Sequence, residues 1–307
     1  VQAPRTKGRI LVIRGGAIGD FILTLPAIAA LRKQFPETHI EVLGYPNVAS
    51  LAKFSGDVDE VRPIEARPLA GFFARHGTLD PGLCEHFATF NIMVSYLYDP
   101  DQLFQENIAR CSKAQFIVGP HRPNESAGVH ATDVYLKPLE RLAIFDADPV
   151  PRIAGIAAGA GHGGLLAIHP GSGSEKKNWP EERWETLLRS VAVKTSWRVL
   201  LVGGEAETER LQRLASVMPV DRLSVALHQP LPELAQRLAR CAAFAGHDSG
   251  ITHLAAAIGL RGVALWGETR PDIWRPRSDQ FTLLRHSAGL QAIEPREVFD
   301  ALSPLLA

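Results

Sequence analysis

GHDSGITHLAAAIG, residues 246–259, decides how the rest of this chain is read. Just before it, Ala242, Ala243, Phe244 and Ala245 form an apolar run of the kind that makes a strand buried on both faces. Behind the polar turn, Leu254, Ala255, Ala256, Ala257 and Ile258 are small, apolar and helix-forming, and Gly259 stops the helix. The turn itself carries an acid, two hydroxyls, a glycine and two histidines. A strand, a polar turn and a helix start bring free backbone N–H groups and the positive helix end to one point, which suits a phosphate. Asp248 and Ser249 also suit plain helix capping. Two further glycine-bearing turns between a strand and a helix favour the phosphate reading.

The first of these follows RILVIR, 9–14, a buried strand that runs into Gly15, Gly16, Ala17, Ile18, Gly19 and Asp20. An apolar helix continues to about residue 34, and Pro26 either kinks it or begins its regular part. Further strands are expected at 39–43, 60–64, 91–95 and 115–118, with helical stretches at 101–111 and 132–144. GIAAGAGHGG, 155–164, is too glycine-rich for an element interior and reads as a hinge. Beyond it, strands at 165–169, 197–202, 223–226, 242–245, 263–266 and 281–284 alternate with helices, ending in one at 295–306. This alternation on both sides of a hinge predicts two doubly wound α/β domains.

Composition narrows the function. The 33 basic and 33 acidic residues cancel, so general attraction to nucleic acid or an anionic membrane is not expected. Cys84, Cys111 and Cys241 are scattered, as reduced thiols of a cytosolic protein would be. VQAPRTKGR runs directly into a strand, so a signal peptide is not expected, and no segment qualifies as a membrane span.

The Gly15–Asp20 turn misses the dinucleotide fingerprint, which needs a glycine at Ala17, and lacks the lysine of a phosphate-binding P-loop. Asp20 is its one ionisable group, either a helix cap or a general base. The second turn is HPGSGSEKKNWP, 169–180, where Gly171 and Ser172 offer donors and Lys176 and Lys177 offer charge, although exposed lysines are often merely solvated. After the next strand, Glu205 or Glu207 is placed to reach a ribose hydroxyl, or simply to complement a helix start. Eleven histidines form no metal motif, and His253 faces either the phosphate or the core.

Together these motifs resemble glycosyltransferase family 9, the ADP-heptose:lipopolysaccharide heptosyltransferases. ILVIRGGAIGDFILTLPAIAALRKQFP (10–36), AIHPGSGSEKKNWPEERWETLL (167–188) and GHDSGITHLAAAIGLRGVALWG (246–267) carry the likeness in the family's order and spacing. With weaker stretches it spans nearly the whole chain. The resemblance implies a GT-B architecture, two Rossmann-like domains facing a cleft. An acceptor domain would occupy 1–154 and a nucleotide-sugar domain 165–290, with 291–307 returning to the first. Asp20 matches the family's catalytic aspartate, with Gly16 and Gly19 on the acceptor side. Lys177 matches its phosphate-binding lysine, and Asp248, Ser249, Gly250, Thr252 and His253 match its donor-phosphate turn. The chain departs at Glu268, where a proline is common, and after Ser95, where YLYDPDQ lacks the family's acidic strand end.

The implied reaction is inverting transfer of a heptose or related sugar from an ADP-sugar to a hydroxyl of a lipopolysaccharide core or other glycan. No metal or other cofactor is expected, and membrane contact would come only through a lipid-linked acceptor at the inner face of the cytoplasmic membrane. Other readings are a different GT-B enzyme such as a nucleotide-sugar epimerase, a dinucleotide-dependent oxidoreductase, and a non-enzymatic nucleotide-sugar binder.

Overall fold

Strand β1 (Arg9–Arg14) is the centre of the first sheet because Ile10, Leu11, Val12 and Ile13 are apolar on both faces and wholly buried. The computed structural model describes residues 7–156, 158 and 164–306. They divide into two units, one up to Pro149 and one from Val150. In the first, β2 (His39–Gly44), β3 (Glu60–Pro63), β4 (Ile92–Ser95) and β5 (Gln115–Val118) join β1 in a parallel sheet of order β3-β2-β1-β4-β5. The order reverses between β1 and β4, whose ends leave a crevice of the kind where open α/β sheets bind ligands. Pro26 begins a helix: Ile18–Ile22 ends, and Leu25–Gln34 starts with the proline in its first turn.

The second unit repeats the plan. Strands β6 (Leu165–His169), β7 (Arg198–Gly203), β8 (Leu223–Leu227), β9 (Ala243–His247), β10 (Gly262–Trp266) and β11 (Phe281–Arg285) are ordered β11-β10-β9-β6-β7-β8, all parallel. Its order reverses between β6 and β9, which places HPGSGSEKKNWP and the Asp248–Ser249 turn side by side. Both domains are therefore Rossmann-like, as the alternation predicts.

Two boundaries differ from expectation. The division falls at Pro149, ahead of the expected 154. Ile153 donates its N–H to Ala257 and Ala158 to Ile258, so the second unit takes hold of the chain from Ile153, ahead of Gly155. Residues 157 and 159–163 of the expected hinge lie outside the described residues. The final helix, Pro295–Leu306, belongs to the second unit, whereas the resemblance sends it to the first. Val298, Leu302 and Leu306 repeat every four residues, and this stripe is buried in the core of the second sheet with Trp184, Leu188 and Val263. Phe299 stacks on Trp197 at 5.5 Å. Among the described residues no helix is long and apolar enough to cross a membrane.

Leu302 is completely buried. Leu302→Ala should lower stability by about 2–5 kcal/mol, measured by denaturant unfolding followed on tryptophan fluorescence. A loss well under 1 kcal/mol would show that the last helix is no part of this core.

Candidate functional site

The turn after β9 is built from its own hydroxyls. Ser249 caps the helix Gly250–Ala257 by accepting the Thr252 N–H at 3.3 Å. Thr252 is fully buried and donates its hydroxyl to the His247 carbonyl. His169 Nδ1, at the end of β6, lies 3.3 Å from Ser249 Oγ. Capping and phosphate binding are thus compatible here. Ser249 and Thr252 shape the turn, while the first N–H groups of the helix, from Gly250 onward, have no carbonyl within it to bond. His253 is buried.

His247 joins this turn to the loop after β6. Its Nε2 accepts the Trp179 backbone N–H at 2.8 Å. That nitrogen is therefore bare, and Nδ1 carries the proton that it donates to the Gly171 carbonyl, 3.2 Å away. The ring also meets Trp184 edge to face at 5.3 Å. Burial pushes His247 down to about 3, against the opposing pull of the Gly171 carbonyl, and pushes His169 down to about 4. Both imidazoles are neutral. Neither was singled out from sequence, since a histidine at a strand end looks alike whether it binds ligand or backbone.

Lys177 Nζ reaches Asp248 Oδ2 at 2.6 Å, a pair joining the two turns. Its lysine end is 42% exposed and its aspartate end 10%, so the ammonium stands at the mouth and the carboxylate behind it. Ser172 Oγ lies 2.7 Å from Asn178 Oδ1 and 2.8 Å from the Ser174 carbonyl, tightening the loop. Arg210 grips the loop from the other side through Glu175 at 3.0 Å, while Lys176 is exposed. Of the two acids after β7, Glu205 is exposed and Glu207 buried. Glu207 Oε2 accepts the Gly204 N–H at 2.9 Å. Its side chain lies so close to Gly171 that a Cβ there would run into Cγ and Oε1. Glu268, beyond β10, is exposed.

In the first unit Gly16 has φ +98°, a conformation that favours glycine. Gly19 lies in the helix Ile18–Ile22, as does Asp20. Asp20 Oδ2 accepts the Ala17 N–H at 3.3 Å, so the capping role is real, yet the side chain remains 23% exposed. Beneath it lies Arg14, which the sequence marks only as the end of a strand. This buried guanidinium donates to the carbonyls of His121 (2.9 Å), Tyr96 (3.2 Å) and Asp20 (3.2 Å). It sits 4.6 Å from the Tyr135 ring centre and 3.8 Å from Asp20 Oδ1. Tyr96 directly follows β4, in the stretch where the resemblance leads one to expect an acid. Its ring is buried, and its hydroxyl donates to the Tyr135 carbonyl at 2.6 Å.

One group of metal-type ligands occurs among the described residues, His39 and Glu41 on β2 with Glu60 on β3, their atoms within 4.8 Å. No sequence motif shows it, because β2 and β3 meet only in the sheet. Burial opposes ionisation of Glu41, but hydrogen bonds from His86 and Arg62 hold it below the usual carboxylate range. With Arg62 at 2.9 Å and Arg9 at 3.1 Å, that carboxylate already has cations of its own.

A sequence model of glycosyltransferase family 9 (heptosyltransferase) matches residues 145–297, which contain both turns of the second unit. A putative glycosyltransferase of Haemophilus influenzae is 23% identical over 88% of this chain and 86% of its own length. Lipopolysaccharide heptosyltransferase 1 of Pseudomonas aeruginosa is 34% identical over 43% of this chain and 34% of its own. Among solved structures, a family 9 glycosyl transferase from Veillonella parvula superimposes with a TM-score of 0.78 at 20% identity, covering 99% of this chain and 98% of that one. The Escherichia coli heptosyltransferase WaaC with ADP gives 0.76 at 17% identity, over 97% and 99%. These likenesses identify the fold as that of GT-B glycosyltransferases.

Unfolding returns both buried imidazoles to the ordinary value near 6.5, so the unfolded chain takes up protons first as the pH falls. Their contribution is complete above that value and is lost progressively towards the folded values near 4 and 3. Lowering the pH from about 7 to about 5 should cost about 2 kcal/mol for each imidazole, read from denaturant unfolding at the two pH values. Equal stability at both would mean that the imidazoles are not held neutral.

Proposed function

The chain belongs to glycosyltransferase family 9, and from that membership we propose that it transfers a heptose or related sugar from an ADP-sugar to a hydroxyl of a lipopolysaccharide core or other glycan. The observation that carries the donor side is the Lys177–Asp248 pair beside a free helix N-terminus. Lys177 and the N–H groups of Gly250 and Ile251 take the diphosphate, those of Thr252 and His253 being bonded to Ser249. Glu207, buried against Gly171, takes the ribose hydroxyls through the carboxylate oxygen not bonded to Gly204. Asp20 removes the proton from the acceptor hydroxyl. That oxygen forms the new bond to the anomeric carbon on the face opposite the phosphate, and the bond to phosphate breaks with inversion. The departing nucleoside diphosphate gathers negative charge as it leaves, and the ammonium and helix end stabilise it.

No metal is assigned in this proposal. A charge-assisted hydrogen bond contributes about 1.5–3 kcal/mol and a helix end about 0.3–2 kcal/mol, so the two together replace a cation only if both act. Contact with the inner face of the cytoplasmic membrane is proposed solely through a lipid-linked acceptor.

Asp20→Asn keeps the shape and can still accept the Ala17 N–H, but it cannot take the acceptor's proton. Turnover should fall about 10²–10⁴-fold with donor affinity nearly unchanged. Near-normal turnover, with a stability loss of about 1 kcal/mol confined to Asp20→Ala, would leave Asp20 as a helix cap alone.

Lys177→Ala should weaken ADP binding roughly ten- to a hundred-fold by calorimetry, with EDTA making no difference to either protein. The thermal midpoint is recorded alongside, because the substitution also leaves Asp248 without its partner. Unchanged affinity would move the phosphate away from Lys177, and loss of binding in EDTA restored by Mg²⁺ would give the phosphate to a metal.

A further inference from the structure

The loops around the β1/β4 crevice carry aromatic rings that the fold does not bury. Tyr45 directly follows β2 and is 45% exposed. Tyr98 follows β4 and is 72% exposed. Since β2 and β4 are the two neighbours of β1, the loops that carry these rings lie on either side of the Gly15–Gly16 turn that leads to Asp20. A Cβ on Gly15 would lie 3.9 Å from both Tyr45 Cε2 and Leu97 Cδ2, so these loops close in on the glycine. Tyr98 meets the ring of His121, itself exposed on the loop after β5, at 4.6 Å.

The backbones under these rings are fixed. Asp99 ties the Tyr98 loop to the next helix by accepting the N–H groups of Phe104 (3.2 Å) and Gln105 (3.1 Å). The His121 carbonyl is held by Arg14 at 2.9 Å and by the Tyr135 hydroxyl at 3.4 Å. Large aromatic faces offered to water from braced loops, beside a carboxylate at a topological switch point, make a binding surface with little ordering left to do.

We propose that Tyr98 and Tyr45, with His121, form the acceptor platform, on which a neutral sugar ring lies by its C–H face so that one of its hydroxyls meets Asp20. The inference rests on the glycosyl-transfer reading and adds to it the recognition of the acceptor. Neutral sugar is the class that fits, because it offers an apolar face to a ring and a hydroxyl to a carboxylate. An anionic sugar placed there would face Asp20 itself. The platform also gives a use to the stretch after Ser95, where the chain departs from its family's pattern.

The test uses the whole protein with an ADP-heptose donor and deacylated lipopolysaccharide core oligosaccharide as acceptor, following ADP release. Tyr98→Ala and Tyr45→Ala should each raise the acceptor KM roughly three- to tenfold, with kcat and donor KM close to wild type. Tyr98→Phe should behave as wild type, since the face and not the hydroxyl does the binding. Unchanged acceptor KM in the Tyr45→Ala/Tyr98→Ala double variant, or a Phe variant as poor as the Ala one, would overturn the platform while leaving the transferase reading intact. Calorimetry with the same oligosaccharide and no donor separates the two claims. Wild-type binding that Tyr98→Ala weakens, without turnover, would end the transfer reading and keep the platform. A wild-type protein that neither binds nor glycosylates the oligosaccharide would overturn the platform as a glycan site.

Discussion

One neutral imidazole holds the two polar turns of the second unit in shape. His247 accepts from the Trp179 backbone and donates to the Gly171 carbonyl, so it spans a loop whose ends lie several residues apart. A buried ring with both nitrogens satisfied is stable only while uncharged, because protonating Nε2 would set an N–H against the Trp179 N–H. Everything at the mouth hangs from that arrangement. Gly171 is fixed against Glu207, Trp179 donates its indole N–H to the Ile293 carbonyl, and Lys177 lies between them within reach of Asp248. A flexible glycine-serine loop acquires one conformation through a residue that touches no solvent.

Arg14 does the corresponding work in the first unit by opposite means. A guanidinium is always charged, and this one is buried, so its charge must be answered locally. Carbonyls of Tyr96 just after β4, of the loop after β5 and of the helix carrying Asp20 supply most of the answer, and the Tyr135 face adds to it. Fan-shaped donors suit a junction of three segments, where a single imidazole could serve only two. Tyr96 belongs to the same solution. With no acid at the end of β4, the strand end presents a carbonyl to Arg14 and a ring to Tyr135, leaving Asp20 as the carboxylate beside the guanidinium.

The strand-turn-helix alternation was legible because a buried parallel strand is an apolar run and each phosphate-type turn is spelled with glycine and hydroxyl residues. The same spelling draws attention to Lys177 and Asp248, which the structure brings together as an ion pair, and their part in holding a diphosphate is proposed. Arg14, His169 and His247 were not legible. A strand's periodicity reports that a position is buried, not that a polar group there has found partners on other strands. The last helix was misplaced on the strength of a family likeness. Its own stripe of Val298, Leu302 and Leu306 says only that a face is buried, and packing against Trp184 and Val263 is settled by the second sheet's surface. The aromatic rings at 45 and 98 were invisible for the opposite reason, since nothing in a sequence marks a tyrosine that the fold leaves in water.

The Lys177–Asp248 pair bears on how binding and chemistry divide, if the donor diphosphate sits as proposed. With the carboxylate 2.6 Å away, the ammonium is already half answered, so its attraction for an incoming diphosphate is smaller than that of a lone cation. The same carboxylate holds the ammonium still, and a fixed cation needs no rearrangement when charge builds on the leaving oxygen. What the pair gives up in the ground state it therefore retains in the transition state, where the diphosphate carries most charge. An interaction that strengthens along the reaction raises turnover, whereas one equally strong throughout only tightens substrate binding. On the proposed placement of the donor, Asp248 behind the lysine would make Lys177 a contributor of the first kind.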